Sequence, residues 1–271
     1  MSSIILNPER VGRPTSSEAY RLVGMGKRDM TAEELAARPR SGKGSSTKFV
    51  EDPSTPDDKF YTYVEEKRIE RRMNRSISVD THTRPMSWGD LMEVMVHQRN
   101  DISYRYTSKK TTIHPTIEGW AGSNDFKTED SVVEVKGYQP LKFAKYYECL
   151  EKQSVETLRE DFPQEYWQMV SGAAIHVVKY AEAVLYMPYL SDLPKVYHTA
   201  MNLDTQDDPW AFKYICDCIE QERHAELAYL PDDSGYKDEI RFRFEVPQSD
   251  IDFLTSRVKL AIEKISAKQT E

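Results

Sequence analysis

Acidic and basic side chains stand at strand spacing in the middle of the chain. Glu134 and Lys136 lie two residues apart in the stretch 131–137, and Asp125 precedes them. Side chains two residues apart on a strand share a face, and a hairpin would bring Asp125 beside them. Two clustered carboxylates repel each other, and a hard divalent cation relieves that repulsion. The pattern therefore predicts metal-assisted phosphodiester hydrolysis, with Lys136 holding or deprotonating a water and neutralising developing charge.

The same pattern has a second interpretation. Charged pairs such as Glu134 and Lys136 are common on solvated strand faces, and an Asp that precedes a Glu-x-Lys at variable distance is a loose signature. From the spacing alone, a surface strand and a metal site are both open. The elements around these residues and the other motifs of the chain must decide between them.

Hydrophobic period predicts the elements that would position these side chains. Apolar residues at helical spacing predict helices over 60–74, 86–97, 141–158, 163–179 and 251–266. Alternating or continuous apolar residues predict strands over 113–121, 131–137, 181–189 and 240–246. This order predicts an α/β (α+β) fold with a central mixed β-sheet flanked by helices. We expect a single domain over 1–271, with a flexible loop at 39–58 and residues 190–271 as its C-terminal part.

Composition narrows the class of protein. Apolar residues make up 39% and charged residues 30% of the 271 residues, and no apolar run approaches the length of a membrane span. The first residues, MSSIILNP, lack the pattern of a secretory signal, and three cysteines cannot form a paired disulfide framework. We therefore expect a cytoplasmic protein that does not bind a membrane. The net charge of −8 argues against a nucleic-acid coat protein but allows a narrow DNA-binding groove.

Four further motifs accompany the Glu134-Val-Lys136 strand. They are Arg10-Val-Gly12-Arg-Pro-Thr15-Ser-Ser17, Trp88-Gly89-Asp-Leu-Met-Glu93, Ser123-Asn-Asp125 and Tyr166-Trp167-Gln168. In this order the five motifs resemble the phage-type alkaline exonucleases, the lambda exonuclease family of the PD-(D/E)XK nuclease superfamily. The resemblance spans residues 10 to about 190. The chain departs from the family pattern in having Asn124-Asp125-Phe126 where Pro-Asp-Gly is usual, and no motif follows residue 190.

The resemblance implies a catalytic role for each matching residue. Asp125 and Glu134 would bind Mg²⁺, for which Mn²⁺ may substitute, together with the Val135 carbonyl. Glu93 would complete a second metal position or hold a metal-bound water; taken alone it reads as a solvated helix carboxylate. Lys136 would orient the nucleophilic water. Gln168 would hydrogen-bond the lysine, the water or a phosphate; alone it reads as a polar residue beside a core Trp.

The resemblance also implies a pocket for a terminal 5′-phosphate, formed by Arg10, Ser17 and Ser123. A guanidinium binds phosphate bidentately, and hydroxyls add donors. If Ser17 opened a helix, the amides of that helix would add to the anion site. Taken alone, Ser17 reads as a helix cap and Arg10 as a surface cation. Such a pocket would favour attack at DNA ends.

The function that the resemblance implies is a Mg²⁺-dependent exonuclease. It would digest linear double-stranded DNA from a 5′ end, in phage-type recombination, as a ring-shaped homotrimer that pairs with a single-strand annealing protein. A ring would reconcile the acidic net charge with DNA binding, because basic groups need only line its channel. One alternative is an endonuclease or single-strand-specific nuclease of defence or repair. Another is an inactive nuclease fold that serves as a DNA-binding or assembly subunit.

Overall fold

The computed structural model describes residues 8–37, 48–77, 83–99, 105–106, 111–203 and 212–267. The strands of this part are Met25–Asp29 (β1), Phe49–Pro56 (β2), Arg105–Tyr106 (β3), Thr112–Ile113 (β4), Ala121–Gly122 (β5), Phe126–Lys127 (β6), Ser131–Lys136 (β7), Tyr180–Tyr186 (β8) and Glu239–Glu245 (β9). The helices are Ala32–Ala37 (α1), Asp58–Met73 (α2), Arg84–Arg99 (α3), Pro140–Glu151 (α4), Val155–Asp161 (α5), Pro163–His176 (α6), Leu193–Asn202 (α7), Lys213–Glu220 (α8) and Gln248–Ser266 (α9). Short 3₁₀ helices cover Ser16–Arg21, Leu190–Asp192 and His224–Glu226.

A mixed five-stranded sheet lies at the centre, in the order β3-β6-β7-β8-β9. The two central strands, β7 and β8, run parallel, and the other neighbours are antiparallel. Nearly every residue of β7 and β8 is buried, because helices cover this part of the sheet. The predicted fold class, an α/β fold with a central mixed sheet, is confirmed.

Helices α3 and α6 contact β7, and α4 contacts β8 and β9. Residue Gly137, which follows β7, allows α3 to approach closely: a β-carbon there would lie 2.7 Å from Met92 Cγ. The C-terminal strand β9 pairs with β8 along its whole length, and α9 contacts α2 and α6. The C-terminal residues therefore complete the central sheet and its helical cover. No helix within the described ranges has both the length and the apolar character needed to cross a bilayer.

Part of the predicted loop 39–58 is a strand. Residues 38–47 lie outside the described residues, but Phe49–Pro56 pairs antiparallel with Met25–Asp29. Most side chains of this two-stranded sheet are exposed. Pairing comes from the backbone, so neither strand needs the apolar alternation by which strands are recognised in a sequence. The expectation of a loop over 49–56 is therefore wrong.

Two other predicted elements are divided. The expected strand 113–121 is the pair β4 and β5, joined by a tight loop in which His114 Nδ1 accepts from the backbone N–H groups of Thr116 and Ile117. The expected helix 141–158 breaks at Gln153, whose φ of 49° is left-handed, and Ser154 then caps α5. Apolar residues occur on both sides of each turn, so the hydrophobic pattern in the sequence runs on without showing the turn.

Candidate active site

The end of β7 carries the central residues of the candidate site. The neighbouring strand β6 pairs only with Val132 and Val133, so β7 continues beyond it. There the Val135 N–H donates to Asp125 Oδ2 over 2.7 Å. The carboxylate of Asp125, one residue before β6, thus takes the place of a strand neighbour and lies against the end of β7.

Three side chains hold the buried carboxylate of Glu134, which is 1% exposed. Asn124 Nδ2 donates to Oε1 over 2.8 Å. Gln168 Nε2 donates to Oε2 over 2.7 Å, and Lys136 Nζ lies 3.3 Å from the same oxygen. Lys136 also donates to Gln168 Oε1 over 3.2 Å, which closes a ring of three side chains. The structure therefore brings Asp125, Glu134, Lys136 and Gln168 together, as the motifs predicted.

Burial and charge shift both pKa values in this ring. Burial first, and then the nearby Asp125, raise the pKa of Glu134, although Lys136 partly offsets them. Burial alone would lower the pKa of Lys136, but Glu134 and Asp125 outweigh it and raise that pKa, with smaller contributions from Glu165 and Glu93. Lys136 is thus held as an ammonium, suited to donating hydrogen bonds and stabilising negative charge rather than to accepting a proton.

The oxygen atoms at the end of β7 fit a hard divalent cation. Asp125 and Glu134 supply two carboxylates, which are ligands that Mg²⁺ prefers. The N–H and C=O of one strand residue point to the same side, so the carbonyl of Val135 faces the side of Asp125. Burial is the main cause of the raised pKa of Glu134, and repulsion from Asp125, which a cation would relieve, is the second. No three His, Cys, Asp or Glu side chains among the described residues, however, lie close enough together to hold a metal ion.

Glu93 lies on α3, half-buried, one residue after Met92, which packs against Gly137. Its charge contributes to the raised pKa of Lys136, so it belongs to the electrostatic surroundings of the site. It does not join Asp125 and Glu134 in a three-carboxylate cluster. Its proposed place at a second metal stays a prediction.

The N-terminal motif forms a compact segment over α2. Arg10 Nη2 donates to Ser17 Oγ over 3.1 Å, so two of the three residues predicted to bind phosphate are in contact. Ser17 is the second residue of a six-residue 3₁₀ helix whose N-cap position is Thr15, without a side-chain cap. A 3₁₀ helix thus begins one residue before Ser17, and the Ser17 hydroxyl contacts Arg10 rather than capping that helix.

Ser123 lies on a stretch that touches the N-terminal segment. The Ala121 N–H donates to the Pro14 carbonyl over 3.1 Å, and a β-carbon at Gly122 would lie 2.0 Å from Ser16 Oγ. Ser16 Oγ is in turn 3.0 Å from Ser171 Oγ on α6. The backbone beside Ser123 and the backbone beside Ser17 are thus packed together against α6.

The backbone conformation and close packing at position 12 require a glycine in this motif. The φ of Gly12 is 64°, its N–H donates to the buried Glu70 Oε2 over 3.1 Å, and a β-carbon would lie 2.7 Å from Arg71 Cβ. We expect Gly12→Ala to lower the free energy of unfolding by about 1–3 kcal/mol, measured by urea denaturation. Gly89→Ala is the matched control, because a β-carbon at Gly89 meets nothing within 4 Å. Equal stability of Gly12→Ala and wild type would contradict the strained close approach.

Sequence reasoning missed two groups that border the site. In the sequence, Asn124 stands out only as a departure from Pro-Asp-Gly, yet its amide donates a hydrogen bond to Glu134. Glu165, 6% exposed, accepts hydrogen bonds from Tyr138 and Lys142, which lower its pKa although burial acts to raise it. The available signal was the spacing of Glu165 and Gln168, one helical turn apart on the same helix.

Comparisons with solved structures agree on the fold. The alkaline exonuclease LHK-Exo from Laribacter hongkongensis is 14% identical, with a TM-score of 0.51 over 94% of this chain and 89% of that one. Its complex with dAMP is also 14% identical and gives a TM-score of 0.52 over 95% and 90% of the two chains. A phage-related exonuclease from Haemophilus somnus 129PT is 11% identical, with a TM-score of 0.52 over 93% of each chain.

Sequence comparison adds nothing to this likeness: no protein-family model and no curated protein matches the chain. At 11–14% identity, similarity of structure speaks for the fold alone. The end of β7, with Glu134 and Lys136 on one face, lies within a chain that matches these structures over nearly its whole length. The chain therefore has the mixed α/β fold that these alkaline and phage-related exonucleases have.

Proposed function

We propose that this chain is a Mg²⁺-dependent deoxyribonuclease that digests linear double-stranded DNA from its 5′ ends. One observation carries the proposal: Asp125, Glu134, Lys136 and Gln168 converge at the end of β7. A pair of carboxylates beside an ammonium can support metal-assisted phosphodiester hydrolysis. The likeness in fold to exonucleases supports the same class of reaction.

Asp125, Glu134 and the Val135 carbonyl would hold the metal ion. When bound, Mg²⁺ polarises the phosphodiester and helps an attacking water to ionise. Lys136, which its neighbours keep as an ammonium, would hold that water or stabilise the charge that develops on the phosphate. Gln168 fixes the lysine and the glutamate relative to each other, because it accepts from one and donates to the other. Glu93 would hold water at a second metal position.

Arg10 and Ser17, joined by a hydrogen bond, would receive a terminal phosphate together with Ser123. The guanidinium of Arg10 and the hydroxyls of Ser17 and Ser123 would recognise the end of a DNA strand, which favours exonuclease over endonuclease action. We extend the proposal to a homotrimer that works with a single-strand annealing protein in recombination. A ring would let the acidic chain bind DNA through basic groups that line its channel.

Digestion of defined substrates tests the proposal. We expect wild type with Mg²⁺ to degrade linear duplex and spare closed circular duplex, and to prefer a 5′-phosphate over a 5′-hydroxyl end. Arg10→Ala should lose about tenfold to a hundredfold of that preference, because charge-assisted hydrogen bonds to phosphate contribute about 1.5–3 kcal/mol. Arg13→Ala is the matched control, since Arg13 bonds the Glu9 backbone and should keep the preference.

Each alternative gives a different result in the same assay. Cleavage of closed circles would indicate an endonuclease, and digestion restricted to single strands would indicate a single-strand-specific nuclease. Equal rates on phosphorylated and unphosphorylated ends would exclude the proposed role of Arg10, Ser17 and Ser123 in binding a 5′-phosphate. No digestion by wild type would favour an assembly subunit.

A further inference from the structure

We infer that Asn124 is a positioning residue that fixes the orientation of the Glu134 carboxylate, and that residue 172 is glycine in order to admit the Asn124 amide. The inference rests on the proposed function, since it concerns the carboxylate proposed to bind metal. It assigns roles to Asn124, which stands where the family pattern usually has proline, and to Gly172, which lies outside the motifs.

The Asn124 side chain is 2% exposed, and its Nδ2 donates to Glu134 Oε1 over 2.8 Å. In the ionised state that would bind a metal ion, Glu134 only accepts hydrogen bonds, so the amide must present its NH₂ group to it. The other oxygen, Oε2, accepts from Gln168 over 2.7 Å. Each carboxylate oxygen therefore has its own amide donor. With both oxygens held, the carboxylate plane cannot rotate freely.

Gly172 lies in the interior of α6, where glycine is less favourable than alanine. A β-carbon there would lie 2.3 Å from Asn124 Nδ2 and 2.9 Å from Oδ1, closer than atoms can approach. The glycine therefore makes room for this amide. Gly89, in the interior of α3, offers a contrast, because a β-carbon there meets nothing within 4 Å.

One face of α6 thus controls both oxygens of Glu134. Gln168 and Gly172 are four residues apart and lie on the same side of the helix. Gln168 donates to Oε2 directly. Gly172 leaves the space in which Asn124 can donate to Oε1. Groups that orient a metal ligand in this way affect metal affinity without touching the metal.

Three variants test the inference: Asn124→Ala, Gly172→Ala and the double variant. The readouts are Mg²⁺ affinity by calorimetry without DNA, the melting temperature without metal, and the Mg²⁺ concentration for half-maximal digestion. Asn124→Ala should weaken Mg²⁺ binding by about tenfold or more. Gly172→Ala should do the same and lower the melting temperature, because its methyl group displaces the amide.

The double variant separates positioning from packing. The methyl group at 172 occupies space that the missing amide leaves at 124, so the melting temperature should recover above that of Gly172→Ala. The hydrogen bond to Glu134 is still absent, so Mg²⁺ affinity should stay as weak as in Asn124→Ala. Gly235→Ala is the control, because a β-carbon there meets nothing within 4 Å, and it should match wild type in all three readouts.

Three results would overturn the inference. The first is wild-type Mg²⁺ affinity in Asn124→Ala, the second is losses of affinity in the two single variants that multiply in the double variant, and the third is recovery of Mg²⁺ affinity in the double variant. Recovery of Mg²⁺ affinity together with the melting temperature would assign the pair a packing role only. Wild type that neither binds Mg²⁺ nor digests DNA contradicts the proposed function itself. Wild type that does both, while Asn124→Ala equals it, contradicts only the positioning role.

Discussion

Replacement of Lys136 by methionine is expected to lower the rate of DNA hydrolysis about 10²- to 10⁴-fold at saturating Mg²⁺. Methionine keeps most of the length of the side chain but removes the ammonium, which Glu134 and Gln168 hold in place. The charge that develops on the phosphate would then lose its stabilising partner. The measurement is the initial rate of digestion of a linear duplex with 5′-phosphate ends, at several Mg²⁺ concentrations.

Lys179→Met is the matched control. Lys179 forms an exposed ion pair with Glu245, and it precedes β8 at the end of the sheet opposite Lys136. Exposed pairs of this kind contribute little to stability, so this variant should digest DNA like wild type. If more Mg²⁺ restored the Lys136→Met rate, the lysine would act on metal binding rather than on the reaction. A Lys136→Met rate equal to that of Lys179→Met would exclude any role for the ammonium.

Elements with a clear apolar pattern could be predicted from the sequence, and the exposed two-stranded sheet could not. Strands β7 and β8 are apolar along nearly their whole length, and α9 shows a clear apolar stripe, so each was predicted near its observed position. Strands β1 and β2 lie in a sheet with mostly exposed side chains. Because backbone pairing alone forms that sheet, its sequence shows no alternation to recognise.

The candidate site divides in the same way. The residues of the ring, Glu134, Lys136 and Gln168, follow motifs with fixed spacing, and the structure places them in contact. Asn124 depends on Gly172, which is distant in the chain, and a single sequence carries no sign of that contact. The place of Glu93 at a second metal position comes from the resemblance alone and stays a prediction. Spacing placed Glu93 on α3, but the distance from α3 to the carboxylates is set by tertiary packing.

The site also has an energetic character that the motifs do not reveal. Glu134 is buried beside Asp125, so its charged form is unfavourable in the metal-free protein. Functional sites commonly carry such a cost in stability, and substitutions that remove the function then stabilise the fold. If this holds here, stability and activity should respond in opposite directions to one substitution at Glu134.

Glu134→Gln is therefore expected to lower the rate of digestion about a thousandfold or more. It should also raise the melting temperature of the metal-free protein at pH 8 by about 2–8 °C. Glutamine has the shape of a neutral glutamate, and the Asn124 amide can turn to present its oxygen to the new NH₂ group. Melting temperatures in chelator from pH 5 to 9, for both proteins, measure the effect. Glu245→Gln, at an exposed carboxylate, is the control and should follow wild type.

The pH dependence fixes the sign of this expectation. Burial and Asp125 raise the pKa of Glu134 in the folded protein above its ordinary value of 4.5. At a pH between 4.5 and this raised pKa, the folded state therefore binds a proton that the unfolded chain does not. Wild-type stability should therefore fall as pH rises through this window, whereas Glu134→Gln lacks that loss. The two melting curves should approach each other near pH 5 and separate above it. Added Mg²⁺ should stabilise wild type more than Glu134→Gln, because the variant keeps Asp125 but loses the second carboxylate ligand. A constant gap across the pH range, or equal stabilisation of both proteins by Mg²⁺, would show that Glu134 is not a charged metal ligand.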